Sequence, residues 1–330
     1  MSNRRVFVLG ATGSIGQATV RALVGRGHEV TCFVRRRAGA GGRLGPEDMA
    51  QLLDGATVRF GDPLDPASMA RDGFAGDRFD TLVSCLASRT GVPRDAWAVD
   101  HQAHVDALRA AREAGVGHMV LLSAICVQKP RLAFQHAKLA FEKALIEAGV
   151  AYSIVRPTAF FKSLSGQVER VKAGKPYLVF GNGRLTACKP ISDRDLGEFI
   201  AVCVDDPDRR NRVLPVGGPG PAITPMEQGA ELFRLLGREP KFRHVPVRML
   251  EVIAGGLSVA GKVVPSLAAK AELARIGHYY ATESMLVWDE QAGRYDADAT
   301  PSYGSDTLIE HYARLIAGEL NDERGDHAVF

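Results

Sequence analysis

Cysteine is scarce and unpaired in this chain of 330 residues: Cys32, Cys85, Cys126, Cys188 and Cys203 are scattered, odd in number and never spaced C-x-x-C. That argues against a disulfide framework and against zinc or iron–sulfur ligand sets, and it suits a reducing compartment. Any redox chemistry must then use an organic cofactor, with no protein-held metal, and each cysteine reads as a small buried hydrophobe. An excess of one charge is also lacking. The 41 Lys and Arg against 38 Asp and Glu leave a net +3, with no block of five like charges, so nucleic acid is not an expected partner. No long apolar run is clean enough to span a membrane. The longest, Val252 to Ala269, contains Lys262, Pro265 and several glycines, and is expected instead to cover something greasy. Repeats and low-complexity tracts are absent. The first strand starts within about six residues of Met1, which leaves no room for a leader, so a cytoplasmic location is expected.

What is present is a globular composition, 46% apolar and 24% charged. Apolar runs near 4–9, 29–35, 56–60, 79–86, 117–123 and 151–156 alternate with helical patterns, the rhythm of an α/β doubly wound parallel sheet with helices on both faces. Helices are expected after Ser14, ending near Gly25 or Gly27, and over 131–149, ending at Gly149. Residues 1–160 are expected to form a dinucleotide-binding Rossmann domain. Residues 161–330 are expected to form a smaller α+β substrate lobe interleaved with it, with 190–216 able to return to the sheet. Gly181-Asn182-Gly183 between Leu178–Phe180 and Arg184–Ala187 predicts a hairpin. The stretch 217–225 reads as a loop, and a terminal helix is expected near 305–319.

The run Val6-Phe7-Val8-Leu9 passes into Gly10-Ala11-Thr12-Gly13-Ser14-Ile15-Gly16. Glycines in strand, turn and helix order let the main chain approach a diphosphate at a positive helix end, so Gly10, Thr12, Gly13, Ser14, Ile15 and Gly16 are the expected dinucleotide loop. The spacing is G-x-x-G-x-x-G, a variant used in short-chain dehydrogenases. The second strand ends in Arg35-Arg36-Arg37, where an acid would bind the ribose 2′-hydroxyl of NAD. Guanidinium groups there can clamp a 2′-phosphate, which points to NADPH. Asp62 is a candidate for the adenine edge and equally an Asp-Pro turn residue. Leu86 and Ala87, at the end of the fourth strand, should pass beneath the cofactor.

At this point the chain resembles the atypical short-chain dehydrogenase/reductase superfamily. Ser123-Ala-Ile-Cys-Val-Gln-Lys-Pro130, Phe134-Gln-His-Ala-Lys138, Arg156-Pro-Thr-Ala-Phe-Phe-Lys-Ser-Leu164 and Gly277-His-Tyr-Tyr-Ala-Thr-Glu-Ser-Met285 are similar to the NADPH-dependent divinyl chlorophyllide 8-vinyl reductases. The resemblance covers almost the whole chain, including the lobe that would choose the substrate. It implies reduction of the 8-vinyl group of a magnesium-containing divinyl chlorophyllide or protochlorophyllide to an ethyl group, in chlorophyll or bacteriochlorophyll biosynthesis. Composition and spacing alone reach only an NADPH-binding protein with a second lobe.

Many short-chain dehydrogenases carry Tyr-x-x-x-Lys on the helix after the fifth strand, whereas this chain has Phe134-x-x-x-Lys138. Phe134 has no exchangeable proton, which counts against ordinary ketone reduction. Hydride added to a vinyl group conjugated with a macrocycle leaves charge spread through the ring, lessening the need for a strong acid. Water, Tyr279 or Tyr280 could then deliver the proton. Lys138 is the expected ribose ligand. Ser123 is a candidate for nicotinamide or substrate, and Pro157 and Thr158 for shaping the nicotinamide pocket. Phe134, Phe160 and Phe161 are candidate pocket walls. Lys162 could pair with the propionate, and His278 or His136 could reach the pigment magnesium. Transient membrane-surface contact, peripheral to photosynthetic membranes, is compatible with so oily a substrate. The rival readings are a reductase of another conjugated alkene and a non-catalytic NADPH-binding assembly factor.

Overall fold

A computed structural model describes residues 3–38, 42–261 and 265–320, without the side chains of 258–261 and 265–266. Six early strands follow one another through crossovers: β1 (Arg5–Leu9), β2 (Glu29–Val34), β3 (Thr57–Phe60), β4 (Thr81–Ser84), β5 (His118–Leu122) and β6 (Ala151–Pro157). Later come β7 (Tyr177–Phe180), β8 (Arg212–Val216), β9 (Phe242–Val245), β10 (Val287–Asp289) and β11 (Arg294–Asp296). A parallel seven-stranded sheet forms in the order β3-β2-β1-β4-β5-β6-β8.

Strand periodicity sorts the side chains onto two faces. Val6, Val8, Cys32, Val34, Val83, Val120 and Val155 pack with the helices Ser14–Gly25 and Asp193–Asp205. Phe7, Leu9, Phe33, Leu82, Met119, Leu121 and Ile154 pack with the helices His104–Glu113 and Ala133–Glu147. Both faces are therefore buried, which is why these strands read as continuous apolar runs.

The chain re-enters the sheet through Asp193–Asp205 and β8, whose Ser153↔Arg212 to Pro157↔Val216 register extends β6. Outside it, β7 pairs with β9, and their core includes Phe161, Tyr177, Phe233, Leu308 and Tyr312. The terminal helix spans Leu308–Ala317.

The hairpin expected around Asn182 does not form. The turn is there, with Gly181 and Gly183 at positive φ, but β7 pairs in parallel with β9 rather than with Arg184–Ala187. Beyond the turn, the Ala187 N–H donates to Ser284 Oγ and its carbonyl accepts the Met285 N–H, so those backbone groups are spent on the segment before β10. The apolar stretch from Val252 falls on two helices, Val247–Gly261 and Pro265–Thr282. Among the described residues, no helix is long and apolar enough to cross a membrane.

Candidate functional site

Strand order reverses between β1 and β4, and parallel sheets place ligands at the carboxyl ends of strands beside such a point. Gly10 sits there at φ +73°, and a Cβ on it would lie 2.4 Å from the Cys85 carbonyl carbon, so the end of β4 presses directly on the loop. Gly16 is closed by the Gly10 carbonyl, 2.1 Å from where its Cβ would be. Gly13 differs: it is exposed, and a Cβ there meets only the Gly10 oxygen at 3.5 Å. Two glycines serve the fold and the third leaves open space.

Gly13 is the N-cap of the helix Ser14–Gly25, no side chain caps that end, and its first turn contains no acid. Uncapped N–H groups at a positive helix end suit a diphosphate, so the loop fits a dinucleotide. Arg35 and Arg36 follow β2 and are exposed, with the Arg36 guanidinium 5.8 Å from the Phe60 ring centroid. Asp62 is exposed after β3, and its Oδ1 accepts the Leu64 N–H at 2.9 Å, the turn role.

Beneath the end of β4 lies a buried polar layer. His104 Nδ1 is 2.8 Å from the Val99 carbonyl, which can only accept, so Nδ1 carries the proton and Nε2 accepts from Ser84 Oγ at 2.8 Å. Burial holds His104 neutral, pushing its pKa down to about 4. Ser84 Oγ in turn receives the Leu86 N–H at 3.4 Å, steadying the segment Leu86–Ala87. Lys138, one helical turn beyond Phe134, places its ammonium 3.0 Å from Asp100 Oδ1.

Several expected ligands are occupied elsewhere. Ser123 is buried and donates to Glu142, which also receives the Arg156 guanidinium; the hydroxyl ties the end of β5 to the helix Ala133–Glu147, and Arg156 braces β6 against the same carboxylate. The Thr158 hydroxyl donates to the Lys189 carbonyl and its N–H to the Val216 carbonyl, so both of its donors are already spent within the protein. Phe161 is no wall: it is 4% exposed in the core it shares with Tyr177, Phe233 and Tyr312, 5.3 Å from the His311 ring. Its neighbour Phe160 lies half-buried against the sheet core and bridges to Ile191. Lys162 is half-buried on the short helix Phe161–Leu164.

Tyr279 lies 2.9 Å from the Cys126 carbonyl and 3.1 Å from that of Lys129. Burial, with Cys126 and Glu283 nearby, raises its pKa, and its two carbonyl contacts make it a strut for the loop after β5. Tyr280 is more exposed, its hydroxyl 3.9 Å from Cys126 Sγ. His278 Nε2 is 3.0 Å from Glu251 Oε1, in a cleft of about 400 Å³ lined by Leu132, Ala254 and Tyr279. A hollow of about 540 Å³ between Lys172–Gly174 and Arg238–Lys241 shares no residue with the strand ends.

Asp100 was not anticipated, although a signal exists: it lies on the face of Ala96 and Ala103, an acid on an apolar stripe. Glu142 and Glu283 are similar omissions, buried acids whose partners come from distant sequence.

Comparisons with known proteins bear on the same residues. A family model described as NAD(P)H-binding matches residues 10–207. A chloroplastic divinyl chlorophyllide a 8-vinyl-reductase of Zea mays is 50% identical over 335 residues, covering 100% of this chain and 84% of the relative. One of the same name from Arabidopsis thaliana is 48% identical, covering 97% and 79%. The solved structure of an NADPH-dependent quinone oxidoreductase of Escherichia coli, complexed with NADPH, aligns with TM-score 0.66 at 19% identity over 94% of this chain and 99% of its own.

Proposed function

The chain belongs to the divinyl chlorophyllide a 8-vinyl-reductase family, and from this premise we infer that it reduces the 8-vinyl group of a divinyl chlorophyllide to an ethyl group with NADPH. What carries this reading is that the likeness extends through the second lobe, where a general dinucleotide-binding relationship would fade.

NADPH supplies the hydride when bound. The protein's own groups do the rest: the main chain at Gly10, Gly13 and Gly16, with Thr12, Ser14 and Ile15, would hold the diphosphate. Arg35 and Arg36 would clamp the 2′-phosphate, and Asp62 would border the adenine. Lys138 would hold the nicotinamide ribose from above Leu86 and Ala87, and the Pro157–Thr158 turn would close the ring's side. Phe134, one turn from Lys138, offers an apolar face in place of a proton-bearing one. That suits a substrate whose carbon–carbon double bond needs alignment more than an acid at oxygen.

The pigment would lie against Phe134 and Phe160 in the direction of the helices Val247–Gly261 and Pro265–Thr282. Lys162 is offered to its propionate and His278 to its magnesium. Tyr279 and Tyr280 are both offered as proton donors; two carbonyl contacts tie the Tyr279 hydroxyl to the loop, and burial raises the pKa of the Tyr280 hydroxyl. Exposed Met249, Val252 and Ile253 on the first of those helices support transient contact with a pigment-bearing membrane surface in a reducing compartment.

The test mixes purified protein, NADPH and divinyl chlorophyllide, and follows pigment absorption and product mass. A gain of two hydrogens is expected. Tight NADPH binding without turnover of any pigment would turn the reading toward an assembly factor, and turnover only of small conjugated alkenes toward another reductase.

A further inference from the structure

Lys138 does not stand alone at the strand ends. The Asp100 carboxylate facing it is 1% exposed and the lysine 11%. The same carboxylate accepts the Ser88 N–H at 3.2 Å on Oδ1 and the Ser88 hydroxyl at 2.5 Å on Oδ2. Three donors from two other segments thus converge on one buried acid. Ser88 comes from the loop after β4, immediately past Leu86 and Ala87, and Lys138 from the helix Ala133–Glu147.

Asp100 itself lies in a π-helical stretch, Trp97–Ala103, that precedes the helix His104–Glu113. Such stretches widen the helix locally and occur often at functional sites. A carboxylate sealed from water persists only when paired and hydrogen-bonded, and this one is both. An exposed ion pair would leave the lysine free to swing, whereas a buried pair holds the ammonium in one place.

We propose that Asp100 is a positioning residue for the cofactor: it holds the Lys138 ammonium toward the nicotinamide ribose and, through Ser88, fixes the Leu86–Ala87 floor in register with it. The inference rests on the reading of Lys138 as the ribose ligand. It gives a reason for the acid's burial that packing alone lacks, since an apolar residue of similar size would fill the space at lower desolvation cost. The two cofactor-facing segments then cannot move independently, because both are tied to one carboxylate.

The test is Asp100→Asn, which keeps the shape and removes the charge, titrated calorimetrically with NADPH and with 2′,5′-ADP, which lacks the nicotinamide ribose. The NADPH Kd is expected to rise by about tenfold to a hundredfold, while the 2′,5′-ADP Kd stays at its wild-type value. Asp100→Glu should recover part of the loss. An unchanged NADPH Kd, or an equal loss for both ligands, would overturn the proposal. Wild-type protein that fails to bind NADPH removes the underlying reading, whereas wild-type binding with an unaffected Asn variant removes only this inference. Should Asp100→Asn not fold, the double variant with Lys138→Met leaves no lone buried charge and is compared with Lys138→Met alone. Equal NADPH affinity of the two supports positioning through Lys138 alone, a further loss confined to NADPH supports the additional Ser88 arm, and a further loss shared by 2′,5′-ADP overturns the proposal.

Discussion

Gly10 and Gly13 look alike in the sequence yet stand in different physical situations. Gly10 combines positive φ with a backbone group 2.4 Å from its absent Cβ, so Gly10→Ala should cost about 3 kcal/mol or more and lower the thermal midpoint sharply. Gly13→Ala meets ordinary contact only and should leave stability within about 0.5 kcal/mol of wild type. Its methyl group would instead project into the space above the helix end and weaken NADPH binding at least about tenfold, equivalent to about 1.4 kcal/mol. Melting curves and NADPH titrations on both variants separate the roles, and unaltered NADPH affinity in Gly13→Ala would place the diphosphate elsewhere. The glycine pattern announced the loop. Which of the two leaves open space is decided by the end of β4, which closes on Gly10 and not on Gly13.

Among the elements, the hairpin of β10 and β11 holds down the loop after β5. Glu283, just before it, receives Lys129 Nζ at 2.7 Å, Arg131 at 2.9 Å and the Tyr295 hydroxyl at 2.5 Å, and Lys129 also lies 4.0 Å from the Trp288 ring centroid. Burial alone would raise the Glu283 carboxyl, but hydrogen bonds from Lys129 and Tyr295 and the charge of Arg131 outweigh it and hold the pKa below the ordinary 4.5. A carboxyl whose folded pKa is depressed contributes stability in full above its unfolded pKa, and loses it as pH falls through the folded one. Glu283→Gln should therefore lower stability on the order of 2 kcal/mol at pH 7, with the gap narrowing as the pH drops below about 4.5. Urea midpoints for both proteins across that range provide the check, and a gap that persists undiminished in acid would assign the effect to packing. Nothing in the run Gly277–Met285 reveals this role, because its partners Lys129, Arg131 and Tyr295 arrive from loops whose approach is set by tertiary packing.

For the molecule as a whole, the candidate cofactor residues come from the ends of β1, β2, β3, β4 and β6, so a bound dinucleotide would bridge most of the sheet. NADPH at about 100 times its Kd should add about 2.7 kcal/mol to the folded state and raise Tm by several degrees. NADH at equal concentration should raise it much less, since Arg35 and Arg36 then have no 2′-phosphate to grip, and the Arg35→Ala/Arg36→Ala variant should erase the difference. Equal shifts with both nucleotides in the wild-type protein would remove the arginines from the cofactor site.

The alternation of apolar runs and helical patterns, the glycine loop and the arginine cluster are local signals, encoded by neighbours within a few residues, and they were enough for the parallel sheet and a dinucleotide-binding fold, whereas the family came from the resemblance of longer segments such as Arg156–Leu164 and Gly277–Met285. The reach of β7 to β9 across about 60 residues of chain carries no local mark, and there the hairpin expectation failed. The destinations of side chains were equally invisible: Ser123 to Glu142, Phe161 to the core, Asp100 to Lys138. Hydrogen bonds and ion pairs form by distance in space, and burial decides their worth. Sequence order supplies the groups, and only the packed fold selects which of them face one another.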